Sequence, residues 1–379
     1  MTTTRILPGA TIGFLGGGQL GRMAAMAARS MGYDIQVLDP DVACSARPIA
    51  SRCITAAWSD AAAGAELARA CSVVTLEIEQ IPVGTLDAVA AVAPLHPGSA
   101  PLYIVQDRAR QKEWLRGEGF PLGGFRTVTT EQECVDAVRA LGPSIVKSAH
   151  GGYDGRGQAR VTEAFEGANA FTGVGGGRAV VEAFLDIREE LSVLVARAAD
   201  GSMAVYPPSR NHHTAGVLTW AVTPGGFDAT TNAQAIDLAR GITERLGIVG
   251  LLAVEMFKLT SGELLVNELA PRPHNTYHHS ERAHATSQFE QMIRAVCGLP
   301  LGATDIVVPG AIHNLLGDLW RDGVAPDFVR ALAVPGVRVH LYGKPSARPG
   351  RKMGHLSAVG ATPEEALARV QQAYELLNP

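Results

Sequence analysis

The segment AVEMFKLTSGELLVNELAPRPHN, residues 253–275, constrains this chain most, because it predicts a β-hairpin with two facing carboxylates. Alternating polar and apolar residues on both sides of Ser261 and Gly262 are typical of two paired strands joined by a tight turn. If Ser261 and Gly262 are the two central turn residues, Glu255 lies directly opposite Glu268. Like charges at facing positions of a ladder oppose folding. We therefore predict that the hairpin holds a cation between the two carboxylates.

The side chains around the facing pair indicate which cation this is. Glu255 and Glu268 offer carboxylate oxygens, and Asn267 adds a neutral oxygen beside them. Oxygen ligands favour Mg²⁺, which usually keeps several waters and is shared with the phosphates of a substrate. A longer turn, with one of the two glutamates facing solvent, is the alternative. The hairpin is followed at once by a cationic, hydrogen-bonding cluster of Arg272, His274 and Asn275.

Length and composition predict a globular protein with several domains. A chain of 379 residues is typical of two or three domains. A net charge of −4 gives no electrostatic reason to expect a nucleic acid or a membrane surface as partner. The absence of a bilayer-spanning apolar run and of an N-terminal leader pattern predicts a cytoplasmic protein. Five widely spaced cysteines without a CxxC motif are typical of reduced thiols in that compartment.

The N-terminal region has a strand–helix–strand pattern. An apolar strand at residues 11–15 leads into GGGQLG, residues 16–21, then into a helix and a second strand that ends at Asp39. Glycines at a strand-to-helix turn let a phosphate approach the positive end of the helix. Asp39 stands where a ribose-binding acid stands in a dinucleotide fold. An NAD-dependent dehydrogenase is one hypothesis, and a tight turn with close helix–sheet packing and no ligand is the other.

A further buried strand is predicted at residues 71–76, followed by Glu77-Ile78-Glu79. Carboxylates at the carboxyl end of a parallel strand lie where open α/β sheets bind ligands. Acidic residues at the start of a helix are the alternative interpretation. Asp107 is predicted to cap a helix over residues 108–117, and we place the first domain boundary near residue 105.

A glycine-rich loop follows a basic strand end in the middle of the chain. Lys147 belongs to the predicted strand SIVKS, and HGGYDGRGQ, residues 150–158, contains four glycines. Such a loop loses much conformational entropy on ordering unless it closes over something. We predict a flap whose backbone N–H groups cover nucleotide phosphates, with Lys147 as a point charge beneath it. A long hairpin tip is the alternative.

Several polar clusters leave their role open. Four cations in a Pro- and Gly-containing turn form either solvated surface or an anion pocket at the active site. These are Lys344, Arg348, Arg351 and Lys352. Residues 211–213 (NHH) are predicted to be irregular, and adjacent histidines on an extended chain face opposite ways, which disfavours a joint metal site. A metal site is likewise disfavoured for the histidines that follow the hairpin, namely His278, His279 and His284.

Six motifs, in this order and spacing, resemble those of the N5-carboxyaminoimidazole ribonucleotide synthetase family of purine biosynthesis, within the ATP-grasp superfamily. They are GGGQLGRM, TLEIE, GGYDGRGQ, VEMF, NELAPRPHN and GRKMGH, and they span about residue 11 to about residue 360. The resemblance implies an α/β and α+β chain in three parts. These are a dinucleotide-like preATP-grasp domain that binds no NAD (1–105), an ATP-grasp domain (106–300, with a mobile lid at about 121–180), and a small β-rich domain with a closing helix (301–379).

The same resemblance implies the reaction. ATP and bicarbonate, with Mg²⁺, form carboxyphosphate, which carboxylates the amine of 5-aminoimidazole ribonucleotide. The resemblance also implies a homodimer whose only other partners are small molecules. ATP contacts are implied for Arg108, Lys147, Gly152, Tyr153, Asp154, Gly155, Arg156, Gly157, Gln158, Glu182, Ala183, Phe184, Leu185, Glu190, His213, Asn267 and Glu268. Metal ligation is implied for Glu255 and Glu268, and bicarbonate chemistry for Arg272, His274 and Asn275. The ribonucleotide is implied to lie among Gln19, Glu77, Asp154, Lys344 and Arg351, of which Asp154 and Lys344 are also expected to act in catalysis.

The chain departs from the family pattern at Thr276-Tyr277, where the family usually has Ser-Gly, and at Ala215, where it often has Asp. Because Thr and Tyr disfavour the φ > 0 conformations open to Gly, we predict an ordinary backbone there, with Tyr277 turned outward from the site. A sister ATP-grasp ligase that uses another acid, such as formate, is the alternative function. A non-catalytic relative is disfavoured because the residues expected for phosphate, metal and bicarbonate are all present.

Overall fold

The computed structural model describes residues 5–151 and 157–377. Five residues of the predicted flap therefore lie outside the described residues, namely Gly152, Tyr153, Asp154, Gly155 and Arg156. Within the described ranges, no helix is both long enough and apolar enough to cross a membrane.

The N-terminal part alternates strands and helices around one parallel sheet. Its elements are β1 (Thr11–Leu15), α1 (Gln19–Ser30), β2 (Asp34–Asp39), β3 (Arg52–Thr55), α2 (Ala61–Arg69), β4 (Val73–Leu76), α3 (Val83–Ala90) and α4 (Ser99–Val105). The strand order is β3-β2-β1-β4. Strands β1 and β4 are almost completely buried, as expected for parallel strands covered on both faces. The strand–helix–strand prediction is confirmed.

Two carboxylates fill the glycine-rich turn of this sheet. Gly18 N and Gly21 N donate hydrogen bonds of 2.8 and 3.0 Å to the two oxygens of Glu77. Gly17 N donates to Asp39 at 2.7 Å. The N–H groups that would bind a pyrophosphate in a dinucleotide fold are thus already bonded to the protein, which is the physical reason why the dehydrogenase hypothesis is wrong. Burial raises the pKa of Glu77, against the opposing effect of these hydrogen bonds.

A small antiparallel sheet forms the predicted lid. Its elements, with the helix that precedes them, are α5 (Arg108–Gly117), β5 (Phe125–Val128), α6 (Glu131–Leu141), β6 (Ser144–Ser148), β7 (Gln158–Val161), α7 (Gly167–Gly173) and β8 (Ala179–Ala183), with a 3₁₀ turn at Ala164–Glu166. The strand order is β5-β8-β6-β7. The predicted helix over residues 108–117 is confirmed, and the Asp107 carboxylate caps it by accepting from Arg110 N at 2.8 Å.

A large, mostly antiparallel sheet organises the rest of the chain. Its elements are β9 (Ile187–Arg197), β10 (Met203–Val205), β11 (Ser209–Thr214), β12 (Val217–Thr223), α8 (Ala229–Leu246), β13 (Gly250–Leu259), β14 (Leu264–Ala270), α9 (Ser280–Ala283), α10 (Gln288–Val296), β15 (Gly310–Leu316), α11 (Phe328–Leu332), β16 (Val337–Leu341), β17 (Lys352–Val359) and α12 (Pro363–Leu377), with 3₁₀ turns at Asn275–Tyr277 and Gly317–Leu319. The strand order is β14-β13-β9-β11-β12-β15-β17-β16. Because β12 pairs with β15, the C-terminal strands continue the central sheet.

The prediction that residues 211–213 are irregular is wrong. They lie in β11, between β9 and β12, with a register shift between His212 and His213. Strand pairing on both sides overrides the polar composition, because the ladder satisfies the backbone whatever the side chains are. His212 stacks on Trp220, with ring centroids 5.1 Å apart, whereas His213 contacts Glu190. The two histidines therefore do not form a joint metal site.

Replacing Glu77 by Ala tests the filled glycine turn. It leaves the N–H groups of Gly18 and Gly21 without their acceptor, so the free energy of unfolding should fall by about 1–3 kcal/mol. Urea unfolding measures this. The control is Glu66→Ala, whose side chain is 50% exposed and paired only with Arg52 at the surface. It should change the free energy of unfolding by less than about 0.5 kcal/mol. Equal stability of the Glu77→Ala variant and the wild-type protein would contradict the assignment.

Candidate active site

The hairpin of β13 and β14 places Glu255 opposite Glu268, as predicted. The turn differs from the predicted one. Leu259 N donates to Glu263 O at 2.9 Å, so the loop has three residues and ends at Gly262, whose φ is +93°. A register shift between Glu255 and Met256 then restores the predicted pairing. The longer turn of the alternative interpretation is therefore correct, but it does not separate the two glutamates.

The register shift is a β-bulge at Asn267, since Glu255 pairs with Glu268 and Met256 with Val266. A bulge leaves one residue unpaired and re-aims its side chain. The Asn267 amide nitrogen donates to Glu255 Oε2 at 3.4 Å. The bulge thus brings the Asn267 side chain to Glu255, at the position where Glu255 pairs with Glu268.

The electrostatics of this point favour a bound cation. Burial and the neighbouring carboxylates of Glu268 and Glu190 raise the pKa of Glu255 to about 7, although the nearby His213 opposes the shift. The Glu268 carboxylate lies 3.6 Å from the guanidinium of Arg108. The site holds two carboxylates and an amide, and the charged form of one carboxylate, that of Glu255, is destabilised. Such a site fits a divalent cation with oxygen ligands.

His213 and Glu190, which are also implied for ATP, lie on the adjacent strands β11 and β9. They contact each other through His213 Nδ1 and a Glu190 carboxylate oxygen. Burial lowers the pKa of His213, but the hydrogen bond that His213 donates to Glu190 and the charge of Glu255 outweigh it, so the pKa is raised. His213 therefore carries positive charge more readily than an ordinary histidine, next to the predicted cation site.

Lys147 and Glu182, both implied for ATP, contact each other across the lid sheet, and a second lysine joins them. Lys147 Nζ lies 3.0 Å from Glu182 Oε2, and Lys112 Nζ lies 3.4 Å from the same oxygen. Burial raises the pKa of Glu182, yet the two lysines outweigh it and lower the pKa to about 2. The sequence analysis missed Lys112, although its position four residues after Arg108 places both on one face of the helix.

A narrow cleft runs between the lid sheet and the hairpin, and four of the residues implied for ATP line it, namely Glu182, Ala183, Leu185 and Asn267. Its lining residues are Lys112, Gly123, Gly124, Glu182, Ala183, Leu185, Phe257, Val266 and Asn267. Phe184 does not line it: its ring is exposed and lies under the guanidinium of Arg160, 4.3 Å away. At the flap base, Ser148 N donates to Gly157 O at 2.9 Å, and Gln158 pairs with Lys147.

Helix α5 connects the lid sheet with β14, the strand that carries Glu268. Arg108 Nη1 donates to Ser148 O on the lid at 2.8 Å, and its Nη2 faces Glu268. Gln111 exchanges two hydrogen bonds with the backbone of Leu269, at 3.0 and 3.4 Å. Gln111 was not predicted from the sequence, because only the tertiary structure shows that this polar helix face packs on β14. Helix α5 thus contacts both the lid sheet and the strand that carries Glu268.

Arg272 is clamped by Glu79. Its Nε and Nη2 donate to the two Glu79 oxygens at 2.5 and 3.2 Å, and its Nη1 donates to Pro273 O at 3.2 Å. Burial lowers the pKa of Arg272, but Glu79 more than offsets it and raises the pKa. Of the acids after β4, Glu79 therefore reaches the site, whereas both oxygens of Glu77 are bonded to the glycine turn.

The remaining predicted residues lie close by. Both polar atoms of the Asn275 side-chain amide are buried and have no hydrogen-bond partner within the described residues. Lys344 Nζ lies 2.8 Å from Gln19 Oε1, so the cationic turn meets the first residue of α1. Arg351 Nη1 donates to Ser346 O at 2.8 Å within its own turn. The structure thus brings Lys344 to Gln19. The ligand roles of these residues stay predictions.

Thr276-Tyr277 has an ordinary backbone, as predicted, since it lies in a 3₁₀ turn without positive φ. Tyr277 does not point to solvent. Its ring is fully buried against Tyr206, and its hydroxyl donates to the carbonyls of Ser192 and Pro207 at 2.8 and 2.9 Å. Tyr277 is therefore turned away from the site as a core residue, and its truncation would leave a large cavity rather than a small change in activity.

Replacing Glu182 by Gln tests the two-lysine pair through the pH dependence of stability. With a pKa of about 2 in the folded state against an ordinary value of 4.5, the Glu182 contribution is complete above pH 4.5 and is lost as the pH falls towards about 2. Below pH 4.5 the free energy of unfolding should therefore fall less steeply with decreasing pH in the variant than in the wild-type protein. The difference in slope should reach about 1 kcal/mol per pH unit. Urea unfolding at about pH 6 and about pH 4 measures this. An unchanged slope, matching the surface control Glu244→Gln, would contradict the pair.

Comparisons with known proteins agree with this architecture. Three family models match in succession: the ribonucleotide synthetase preATP-grasp domain over residues 9–106, the ATP-grasp domain over 113–289, and the phosphoribosylaminoimidazole carboxylase C-terminal domain over 310–369. The chain is 41% identical to the N5-carboxyaminoimidazole ribonucleotide synthase of Brucella melitensis, over 95% of this chain and 99% of the relative. It is 38% identical to that of Bacillus subtilis, over 98% of this chain and 97% of the relative.

Solved structures show the same likeness. The ADP complex of an N5-carboxyaminoimidazole ribonucleotide synthetase superimposes with a TM-score of 0.93 at 37% identity and covers 98% of both chains. The Aspergillus clavatus enzyme, in complex with ADP and 5-aminoimidazole ribonucleotide, superimposes with a TM-score of 0.88 at 30% identity, over 98% of this chain and 99% of that one. The three-part ATP-grasp fold and the full-length identity together show that this chain belongs to the N5-carboxyaminoimidazole ribonucleotide synthase family.

Proposed function

We propose that this chain uses ATP and bicarbonate to carboxylate the amine of 5-aminoimidazole ribonucleotide in purine biosynthesis. The observation that carries the proposal is the pair Glu255–Glu268, which faces the cluster of Arg272, His274 and Asn275 inside a fold shared with enzymes of this name. A ligase of this kind needs a phosphate-activating cation next to an anion-binding pocket. The carboxylate pair proposed for the cation and the cluster proposed for the anion are in contact through Glu255 and His274.

The first step activates bicarbonate. A bicarbonate oxygen attacks the γ-phosphorus of ATP, the bond to the bridging oxygen breaks, and ADP leaves with formation of carboxyphosphate. Glu255, Glu268 and Asn267 would hold Mg²⁺, which supplies charge neutralisation on the phosphates. Arg108 and Lys147 supply fixed positive charges beside them. Lys147 is held in place by Glu182 before nucleotide binds.

The second step transfers the carboxyl group. The amine nitrogen attacks the carbonyl carbon of carboxyphosphate, phosphate leaves, and the nitrogen gives up one proton to the departing phosphate. Arg272 is already oriented by Glu79, and the Asn275 amide, which has no hydrogen-bond partner among the described residues, can bond the carboxyl oxygens. Carboxyphosphate is short-lived in water, so a lid that excludes water is a requirement of the chemistry. The lid sheet and its connection through α5 suit that requirement.

The ribonucleotide is proposed to bind between Gln19 and the turn that carries Lys344 and Arg351. The contact of Lys344 with Gln19 supports this, because it joins the start of α1 to the cationic turn. A single phosphate needs one or two charge-assisted contacts, which these side chains can provide. We further propose a cytoplasmic homodimer, with domain boundaries near residues 105 and 300.

The decisive experiment measures ADP release by the purified chain with ATP, Mg²⁺ and 5-aminoimidazole ribonucleotide, with and without bicarbonate. Release that requires both the ribonucleotide and bicarbonate supports the proposal. Formate in place of bicarbonate tests the sister ligase. Turnover with formate and none with bicarbonate would overturn the proposed acid substrate, and the absence of ADP release with any acid would overturn the proposed reaction.

Replacing Glu268 by Gln should reduce turnover at least about a hundredfold while the fold is kept, because it removes one of two anionic ligands of the cation. Its matched control is Glu263→Gln, an exposed glutamate in the turn of the same hairpin. Steady-state ADP release across a range of Mg²⁺ concentrations measures both variants. Near-normal turnover of Glu268→Gln at saturating Mg²⁺ would contradict the metal assignment.

Replacing Lys344 by Ala should raise the KM for the ribonucleotide about tenfold or more and leave the KM for ATP within about twofold. The reason is the loss of one charge-assisted contact, which contributes about 1.5–3 kcal/mol. The control is Arg330→Ala, an exposed cation on α11 that pairs with Asp327. A larger rise in the KM for ATP would assign Lys344 to the nucleotide instead.

A further inference from the structure

We propose that Thr276 is a positioning residue that fixes the ring tautomer of His274 through a buried relay of hydrogen bonds from Asn211 and Ser192. The relay leaves the ring proton of His274 on Nε2, where it faces the proposed reaction site. The chemical consequence of this arrangement rests on the function proposed above, but the tautomer itself does not. Thr276 is also a position where this chain departs from its family, although the hydroxyl group of the usual Ser is retained.

Four side chains from three parts of the fold form the relay. Asn211 Nδ2 donates to Ser192 Oγ at 3.1 Å, and Ser192 Oγ donates to Thr276 Oγ1 at 2.8 Å. Thr276 Oγ1 lies 2.9 Å from His274 Nδ1. Ser192 and Thr276 are fully buried, and Asn211 is 5% exposed. The relay is therefore shielded from water, and its members must satisfy one another.

The number of hydrogens sets the direction of the relay. The amide nitrogen of Asn211 can only donate, so Ser192 Oγ is its acceptor. Ser192 has one hydroxyl hydrogen, and its better acceptor is Thr276 Oγ1 at 2.8 Å, since Asn211 Oδ1 is 3.5 Å away. Thr276 Oγ1 then accepts from Ser192. Among the described contacts of Thr276 Oγ1, the remaining acceptor for its own hydrogen is His274 Nδ1.

The opposite side of the ring supports the same tautomer. His274 Nε2 lies 3.4 Å from Glu255 Oε1. A proton on Nε2 faces a carboxylate oxygen, whereas the other tautomer would direct a lone pair of electrons at that oxygen. It would also turn Thr276 into a donor to Ser192, whose own hydrogen would then have only the longer contact of 3.5 Å to Asn211 Oδ1. Both ends of the imidazole thus favour an N–H at Nε2 and a bare nitrogen at Nδ1.

This tautomer has a use in the proposed reaction. With Nδ1 occupied by Thr276, His274 presents a hydrogen-bond donor, and not an acceptor, to the anionic oxygens of bicarbonate and carboxyphosphate. A donor fixed before the substrate binds stabilises developing negative charge without reorganisation. Thr276 contacts His274 and not the proposed substrate, so its effect is exerted through the histidine ring.

The test compares Thr276→Val, which has nearly the same shape but no hydroxyl, with Thr276→Ser, which keeps the hydroxyl. Nitrogen NMR of ¹⁵N-histidine-labelled full-length protein, without substrates, reads the tautomer directly, and a His274→Asn sample assigns the signals. In the wild-type protein and Thr276→Ser, Nε2 should carry the proton and Nδ1 should show the shift of a hydrogen-bonded, unprotonated nitrogen. In Thr276→Val that Nδ1 signal should move towards the value of a protonated nitrogen, because without the hydroxyl the ring is no longer held in one tautomer. A protonated Nδ1 in the wild-type protein would overturn the relay without any variant.

Kinetics provide the second readout. Thr276→Val should lower kcat for ribonucleotide- and bicarbonate-dependent ADP release about tenfold, keep the KM for ATP within about twofold, and recover to within about threefold in Thr276→Ser. The matched control is Thr243→Val, a fully buried threonine whose hydroxyl bonds only to Ala239 O inside α8. An unchanged Nδ1 shift in Thr276→Val refutes the relay, whatever its rate. A changed Nδ1 shift with an unchanged kcat refutes the contribution of the relay to the reaction. Absence of turnover by the wild-type protein refutes the proposed function and leaves the NMR result valid.

Discussion

The facing of Glu255 and Glu268 across one hairpin is the constraint on which the site depends. Two carboxylates at paired positions repel each other, and burial adds to the cost of charging Glu255. The surrounding side chains compensate for this. Arg108 approaches Glu268, His274 approaches Glu255, and the bulge turns the Asn267 amide to the same point. A cation bound between the two carboxylates would relieve the remaining repulsion, which is why the hairpin is informative about function.

Helix α5 links this point to the lid. Arg108 reaches both the lid backbone and Glu268, while Gln111 and Lys112 hold the backbone of β14. One polar helix face therefore connects the residues expected around the nucleotide with those expected around the metal. The buried Glu182, shared by two lysines, keeps that face in register before any ligand is bound.

The N-terminal sheet contributes to the site in a way that its motif conceals. Its glycine turn is closed by Glu77 and Asp39, so the N–H groups that bind phosphate in dinucleotide folds serve the protein itself. The sheet instead supplies Glu79, which orients Arg272 from 193 positions away in sequence, and Gln19, which meets Lys344. The glycine turn therefore serves as a structural support, and the end of the adjacent strand supplies the partner of Arg272.

The sequence alone determined the fold class, the facing carboxylates and the cluster that follows them, because these depend on local alternation, turn residues and motif spacing. It did not determine which of Glu77 and Glu79 reaches the site, nor that Lys112 and Gln111 belong to it, because those assignments depend on how a helix and a strand end pack against distant elements. The turn itself was predicted one residue too short, and the bulge at Asn267 cancelled the error. The strand at residues 211–213 and the buried place of Tyr277 were likewise decided by strand pairing and core packing, whose free energy outweighs local preference.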